Sequence, residues 1–357
     1  MDYPAVAYIG GAGPRRHLRI LAPLVELGLT LVGPSRAAYT GVVSAFLRRS
    51  PLVLALAVGP ACIVFEYPTD TDSGGPGDAP TDIEPTGADN DPTEGCPCAQ
   101  GTELIYALSD QGTLLSFDPV DLTFAHVADV ACGGMHDTFS MGVSRKGRAW
   151  IQYSSGDLFT VDINEPGDPI DCKDPGFSSG HPQFPHFGMA FVGNSESDPC
   201  DKLYVHSCIA PDLVGPDVGA LGVVDPQTLE LSTIAPLDYA WGELAGTPSG
   251  RLFAFEGSSP PFLAEYDKMT GEMLEALPLP ELSPGVASAF AGWGGDFYFF
   301  TAGEVDVGSS VWHLDYDASD GNGQALTLLA PHAPGRIVGA GVSTCAPPDA
   351  GSVTSGP

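Results

Sequence analysis

Eight side chains of types that do chemistry stand in the loops that lead into a recurring small-residue segment: His136, Asp137, His181, His186, Tyr239, Trp241, His332 and Arg336. All lie between stretches rich in Gly and Pro, so they belong to loops. His181-Pro-Gln-Phe-Pro-His186 holds two imidazoles on a proline-stiffened segment. With His136 and Asp137 they form a donor set that suits a transition metal. The plainer reading is solvated histidines on a stiff loop. Trp241 supplies a face for stacking, or else simply fills core. No Gly-x-Ser-x-Gly elbow and no His-Glu-x-x-His accompanies these residues. Asp317-Ala-Ser-Asp320-Gly321-Asn322 has part of a calcium-loop spacing but lacks the closing glutamate, and it reads as a hairpin turn. The expected site is therefore a ligand-binding set of His136, Asp137, His181, His186, Tyr239, Trp241 and Arg336. No catalytic residue or resident cofactor is expected, and calcium or another divalent cation is the one inorganic ligand left open.

These loops need a scaffold, and the chain repeats one. Five short apolar strands each end on an aspartate: Leu114–Asp118, Leu158–Asp162, Leu221–Asp225, Leu263–Asp267 and Val311–Asp315. The aspartates are 44, 63, 42 and 48 residues apart. Before each of the last four comes an aromatic-rich strand such as Leu252-Phe253-Ala254-Phe255, and before that a small-residue strand such as Gly188-Met189-Ala190-Phe191. The spacing matches one four-stranded propeller blade. The gradient fits too: strands converging on an axis need small side chains, and the next ring of strands carries the packing. The aspartates are expected to cap turns with their carboxylates. The first unit lacks its small-residue strand, and Ile337–Ser343 supplies it from the other end. The expectation is an all-β, five-bladed β-propeller of four-stranded blades over residues 103–345, closed by the C-terminal strand. A sixth blade is the alternative that the 63-residue interval leaves open. The excess there is assigned to loops at 173–186 and 209–218.

Over this span the chain resembles the broad β-propeller class. Gly147–Trp150 followed by Ser155-Gly156-Asp157-Leu158 resembles lactonase-like and sensor propellers. Asp267-Lys268-Met269-Thr270-Gly271-Glu272 resembles quinoprotein blades. Those resemblances imply an enzyme as the second reading, with Asp137, His136 and His186 around a cation at the channel mouth.

The front of the chain is different. Arg48-Arg49 precede a short apolar run ending at Cys62, the pattern of a bacterial export signal with an acylated cysteine. The run is too short to span a bilayer, which takes roughly 20 apolar residues. Residues 1–61 are thus an N-terminal extension and export signal. Residues 62–102 form an acidic linker, with nine acids and no Lys or Arg between Glu66 and Gly95. Residues 346–357 form a tail. From Cys62 onward eight basic residues face 43 acidic ones. Such a surface repels nucleic acid and anionic lipid, which are bound through Lys and Arg.

In an exported chain the remaining cysteines read as disulfides. Cys200 and Cys208 are taken as a local pair, Cys132 as the partner of Cys172, and Cys345 as the partner of Cys96 or Cys98, with one of these two left over. The functional expectation is a monomeric, exported, lipid-anchored module of the periplasm, outer membrane or cell surface, or otherwise a secreted one. It binds a protein, peptide or glycan, and meets the membrane only through the anchor.

Overall fold

The computed structural model describes residues 96–348, save 135, 166–169, 209–218, 258–259, 317–323 and 330–331. The export segment, Cys62, the linker through residue 95, the 209–218 loop, the Asp317–Asn322 turn and the tail from 349 lie outside the described residues. Every named element among the described residues is a strand. The first blade contains β1 (Ile105–Ser109), β2 (Thr113–Asp118) and β3 (Thr123–Asp129). The second contains β4 (Thr138–Val143), β5 (Arg148–Tyr153) and β6 (Leu158–Asp162). The third contains β7 (His186–Ser195), β8 (Asp198–Cys208), β9 (Gly219–Val224) and β10 (Leu231–Leu237). The fourth contains β11 (Glu243–Gly246), β12 (Leu252–Glu256), β13 (Phe262–Tyr266) and β14 (Met273–Pro278). The fifth contains β15 (Ala287–Trp293), β16 (Asp296–Ala302), β17 (Ser310–Leu314) and β18 (Leu326–Leu329).

The last strand, β19 (Ile337–Val342), pairs antiparallel with β1, from Ile105 opposite Val342 to Leu108 opposite Gly339. It becomes the innermost strand of the first blade. Innermost strands pack in the ring order β19, β4, β7, β11, β15 and back to β19. The fold is a closed five-bladed β-propeller, so the six-bladed alternative falls. Spare length after Asp162 goes partly into the segment before β7 and partly into the long β7–β8 hairpin.

There is no single core. Five clusters of buried side chains lie between neighbouring blades. The cluster joining the last blade to the first contains Phe300 and Ala289 from one side and Ile105, Phe117 and Ile337 from the other. Aromatic residues of the second strands dominate these contacts: Phe253 and Phe297 lie 4.7 Å apart edge-on, Phe255 and Phe299 5.0 Å. Small residues line the axis because the inner strands nearly touch. A methyl group on Gly188 would sit on the Gly242 carbonyl oxygen, 2.7 Å from Glu243 Cα.

The turn aspartates behave as their spacing predicts. Asp118, Asp162, Asp225 and Asp267 each accept the amide N–H two residues on, at 2.7–2.9 Å. The Thr228 amide, with that of Gln227, holds the Asp225 carboxyl below the usual carboxylate range, and the Met269 and Thr270 amides do the same for Asp267.

Among the described residues the second blade has three paired strands where four are expected. In place of the fourth, Thr160 and Lys173 exchange two backbone hydrogen bonds of 2.8 and 2.9 Å. The Cys132–Cys172 disulfide, closing a separation of 40 residues, anchors this stub. Replacing both cysteines by serine should cost about 2–4 kcal/mol in a denaturant titration.

The other disulfides are Cys96–Cys200 and Cys98–Cys345. The expected Cys200–Cys208 pair is therefore wrong, and no member of the Cys96/Cys98 pair is left over. Cys200 and Cys208 lie on one strand, β8, eight residues apart. An extended strand rises about 3.3 Å per residue, whereas a disulfide needs Cα atoms within about 7 Å. Cys208 is also disulfide-bonded. Residues Cys96–Thr102, on the linker side of the expected boundary, are packed against the ring, with Thr102 buried and Ala99 N–H donating to the Arg145 carbonyl at 2.8 Å.

Candidate functional site

Each innermost strand starts at the same end of the ring, here called the top. The turns entering the second and fourth strands lie at the other end, the bottom. All the sequence-derived site residues lie on the top side, but they do not assemble into one site. His136 and Asp137 are exposed. His181 closes its own turn: Nδ1 accepts the Gln183 amide at 3.3 Å, and the ring lies 5.4 Å from Phe184. His186 is buried, its Nε2 2.9 Å from the Ser154 carbonyl oxygen and its ring 5.0 Å from Phe139. Tyr239 packs on Phe262 at 4.8 Å, between blades three and four. Trp241 is half-buried where the chain enters β11. Arg336 pairs with Asp110 at 3.1 Å and braces the closing strand. His332 is exposed. Among the described residues no group of three His, Cys, Asp or Glu side chains could hold a metal ion.

The structure instead concentrates polar groups in places the loop reading missed. Glu243 opens β11 and is nearly buried. It reaches across the axis, over Gly188, to accept the Ser140 hydroxyl of β4 at 2.9 Å. Burial pushes its carboxyl up to about 8, against the Ser140 hydrogen bond, which lowers it. Between blades three and four, His206 Nε2 lies 3.0 Å from Glu256 Oε1, both side chains wholly buried. Tyr266 donates its hydroxyl to the same oxygen at 3.2 Å. Burial opposes charge on the His206 ring. The Glu256 carboxylate and the Ser207 carbonyl outweigh it and raise the ring above its ordinary value.

At the bottom, Arg145 is buried and makes four side-chain hydrogen bonds. Its Nε donates to the Cys96 carbonyl at 2.9 Å and its Nη1 to the Thr344 carbonyl at 3.0 Å, while Nη2 lies 3.2 Å from Cys98 Sγ. Asp201 joins this cluster through the Thr344 hydroxyl at 3.0 Å and the Arg145 amide at 3.3 Å. Burial lifts Asp201 to about 6, the hydrogen bonds and the Arg145 charge pulling the other way.

Glu243 sets a pH dependence. Its folded value lies above its unfolded one, so its contribution to stability is complete below about 4.5 and falls away as pH rises through 8. Glu243→Gln keeps the shape and loses the titration. Between pH 5 and 9 the variant's melting temperature should decline less than that of the native chain. Parallel profiles would refute the assignment.

The basic side chains are unevenly placed along the axis, whereas exposed acids occur at both ends. Arg145, Lys146, Arg148, Lys202, Arg251 and Lys268 all lie at the bottom. The top loops contain two Lys or Arg, Lys173 and Arg336, paired with Glu165 and Asp110. Exposed at the top are Asp137, Asp174, Asp238, Glu281, Glu304 and Asp306. Between the last two stands Val305, 91% exposed, and Val307 follows at 93%. Two clefts at the bottom hold about 100 and 20 Å³, both well short of the roughly 300 Å³ at which small-molecule pockets begin.

The class these features define is a disulfide-stapled five-bladed β-propeller with an acidic upper face. No protein-family profile and no curated protein matches the chain. Among solved structures it is similar to a protein of unknown function from Bacteroides caccae, at 9% identity over 67% of this chain and 97% of that one, TM-score 0.38. It is also similar to TolB from Acinetobacter baumannii, at 12% identity over 64% of this chain, TM-score 0.35, and it spans 52% of the TolB chain. The assignment of the fold rests on strand pairing and not on these likenesses.

Proposed function

We propose that the protein is an exported docking module that presents its upper face to a protein or peptide bearing positive charge. The supporting observation is the uneven placing of the bases: the acids of the top loops stand beside only Lys173 and Arg336, which pair with Glu165 and Asp110, and two valines stand out among them. Unlike charges steer an encounter, and a desolvated apolar tip fixes it. Exposed valines favour a polypeptide over a glycan. Disulfides such as Cys96–Cys200, Cys98–Cys345 and Cys132–Cys172 suit an oxidising compartment outside the cytoplasm, which agrees with the export signal.

A synthetic peptide alternating Lys with Val or Leu provides the test. It should bind with an affinity that weakens several-fold between about 50 and 300 mM salt. Glu304→Lys with Asp306→Lys should abolish binding, whereas Lys146→Glu at the bottom should leave it unchanged. Equal loss from both faces would overturn the proposal. The enzyme reading, with a cation held by His136, Asp137 and His186, has no such support among the described residues.

A further inference from the structure

We infer that Cys345 is the site at which an external thiol opens this protein, and that Arg145 directs the attack by holding Cys98 as the leaving thiolate. The disulfides differ in their surroundings. Cys98 is exposed and Cys345 half-buried, so this pair meets solvent. Cys96 of the neighbouring pair is buried. Cys172 Sγ of the third lies 3.8 Å from the Ile170 carbonyl oxygen, whose partial negative charge disfavours a thiolate there. Cys98 Sγ instead faces the Arg145 guanidinium at 3.2 Å. That guanidinium is fixed by bonds to the Cys96 and Thr344 carbonyls and to the Thr344 hydroxyl. Asp201 is the nearest acid in the cluster, and its hydrogen bonds run to the Arg145 amide and Thr344 rather than to the guanidinium.

The step balances with a thiol as the only co-reactant. A thiolate, from a small thiol or a dithiol oxidoreductase, attacks Cys345 Sγ. The S–S bond breaks, and its electron pair leaves on Cys98 Sγ beside Arg145. A second thiolate then attacks the reagent's sulfur in the mixed disulfide and releases Cys345. The reductant ends as a disulfide and the protein as a dithiol. Thiols beside Arg are lowered by one to several units. With a Brønsted slope near 0.5, a lowering of about two units speeds departure about tenfold. Opening this bond frees the end of β19 from the segment that precedes β1.

The test uses the native chain and glutathione. After brief exposure, acid quench and alkylation, peptide masses should show glutathione on Cys345 and the alkyl group on Cys98, with Cys96–Cys200 and Cys132–Cys172 intact. Arg145→Gln should slow the reaction about tenfold, and Arg145→Lys should restore part of the rate. Glutathione on Cys98, or earlier opening of Cys132–Cys172, would overturn the inference. The position of glutathione on the unaltered chain decides the matter even if Arg145→Gln fails to fold.

Discussion

A chain ended after Pro334 should give no cooperative melting transition at all. The deletion removes β19, which pairs with β1 along its length and packs on both β15 and β4. Ile337, Ala340 and Val342 leave the cluster that joins the last blade to the first. Gly339 and Gly341 also go; a methyl group at either would lie within 3.0 Å of the β4 backbone, so these strands are in close contact. Cys98 loses its partner Cys345, and Arg145 loses the Thr344 carbonyl. Burial is worth about 25 cal/mol per Å² of apolar surface, and a domain's whole margin is only about 5–15 kcal/mol. Losing one strand that serves three blades exceeds that margin. Calorimetry of the truncated chain checks this: an endotherm like that of the full chain would contradict closure by the C-terminal strand.

Glu256→Ala should cost about 3–5 kcal/mol, the usual loss when one partner of a buried ion pair is removed. It strips His206 of its carboxylate and Tyr266 of its acceptor, with both side chains still inside. Removing both partners together, as His206→Leu with Glu256→Leu, should cost much less than the single change, because no charge is then left stranded. The pH dependence has a definite sign. His206 is raised in the folded protein, so the pair's stabilisation is complete below the ordinary histidine value of about 6.5 and declines as pH rises through the folded value. Glu256→Ala should therefore be more damaging at pH 6 than at pH 9. Denaturant midpoints at the two values read this directly, and equal losses would mean that the pair is not ionised.

The ring was legible because its signals are local. An aspartate that caps a turn, a run of small residues and a run of aromatics each sit within a few positions of one another, and the period repeats. Ring closure followed from one missing strand and one spare strand. The polar interior was not legible, because Glu243 meets Ser140 from across the axis and His206 meets Glu256 from the next blade. Only a glutamate opening a small-residue strand at Gly242-Glu243 hinted at it. The loop histidines misled for the opposite reason: closeness in sequence placed His181 and His186 together, while each is occupied by its own local contacts. Cys200 and Cys208 do not pair because both lie on one extended strand, which holds them far apart.

The wiring of Cys96 and Cys98 has a consequence for biosynthesis. The two are among the earliest thiols of the ring to be made, yet their partners are 104 and 247 residues downstream. During synthesis from the N-terminus Cys200 appears long before Cys345, and it meets two almost equivalent candidates separated only by Pro97. An early oxidant can seal the wrong one, after which the late-arriving Cys345 finds its proper mate taken. Correct maturation therefore favours slow oxidation, or a catalyst that reshuffles the bonds once translation has ended.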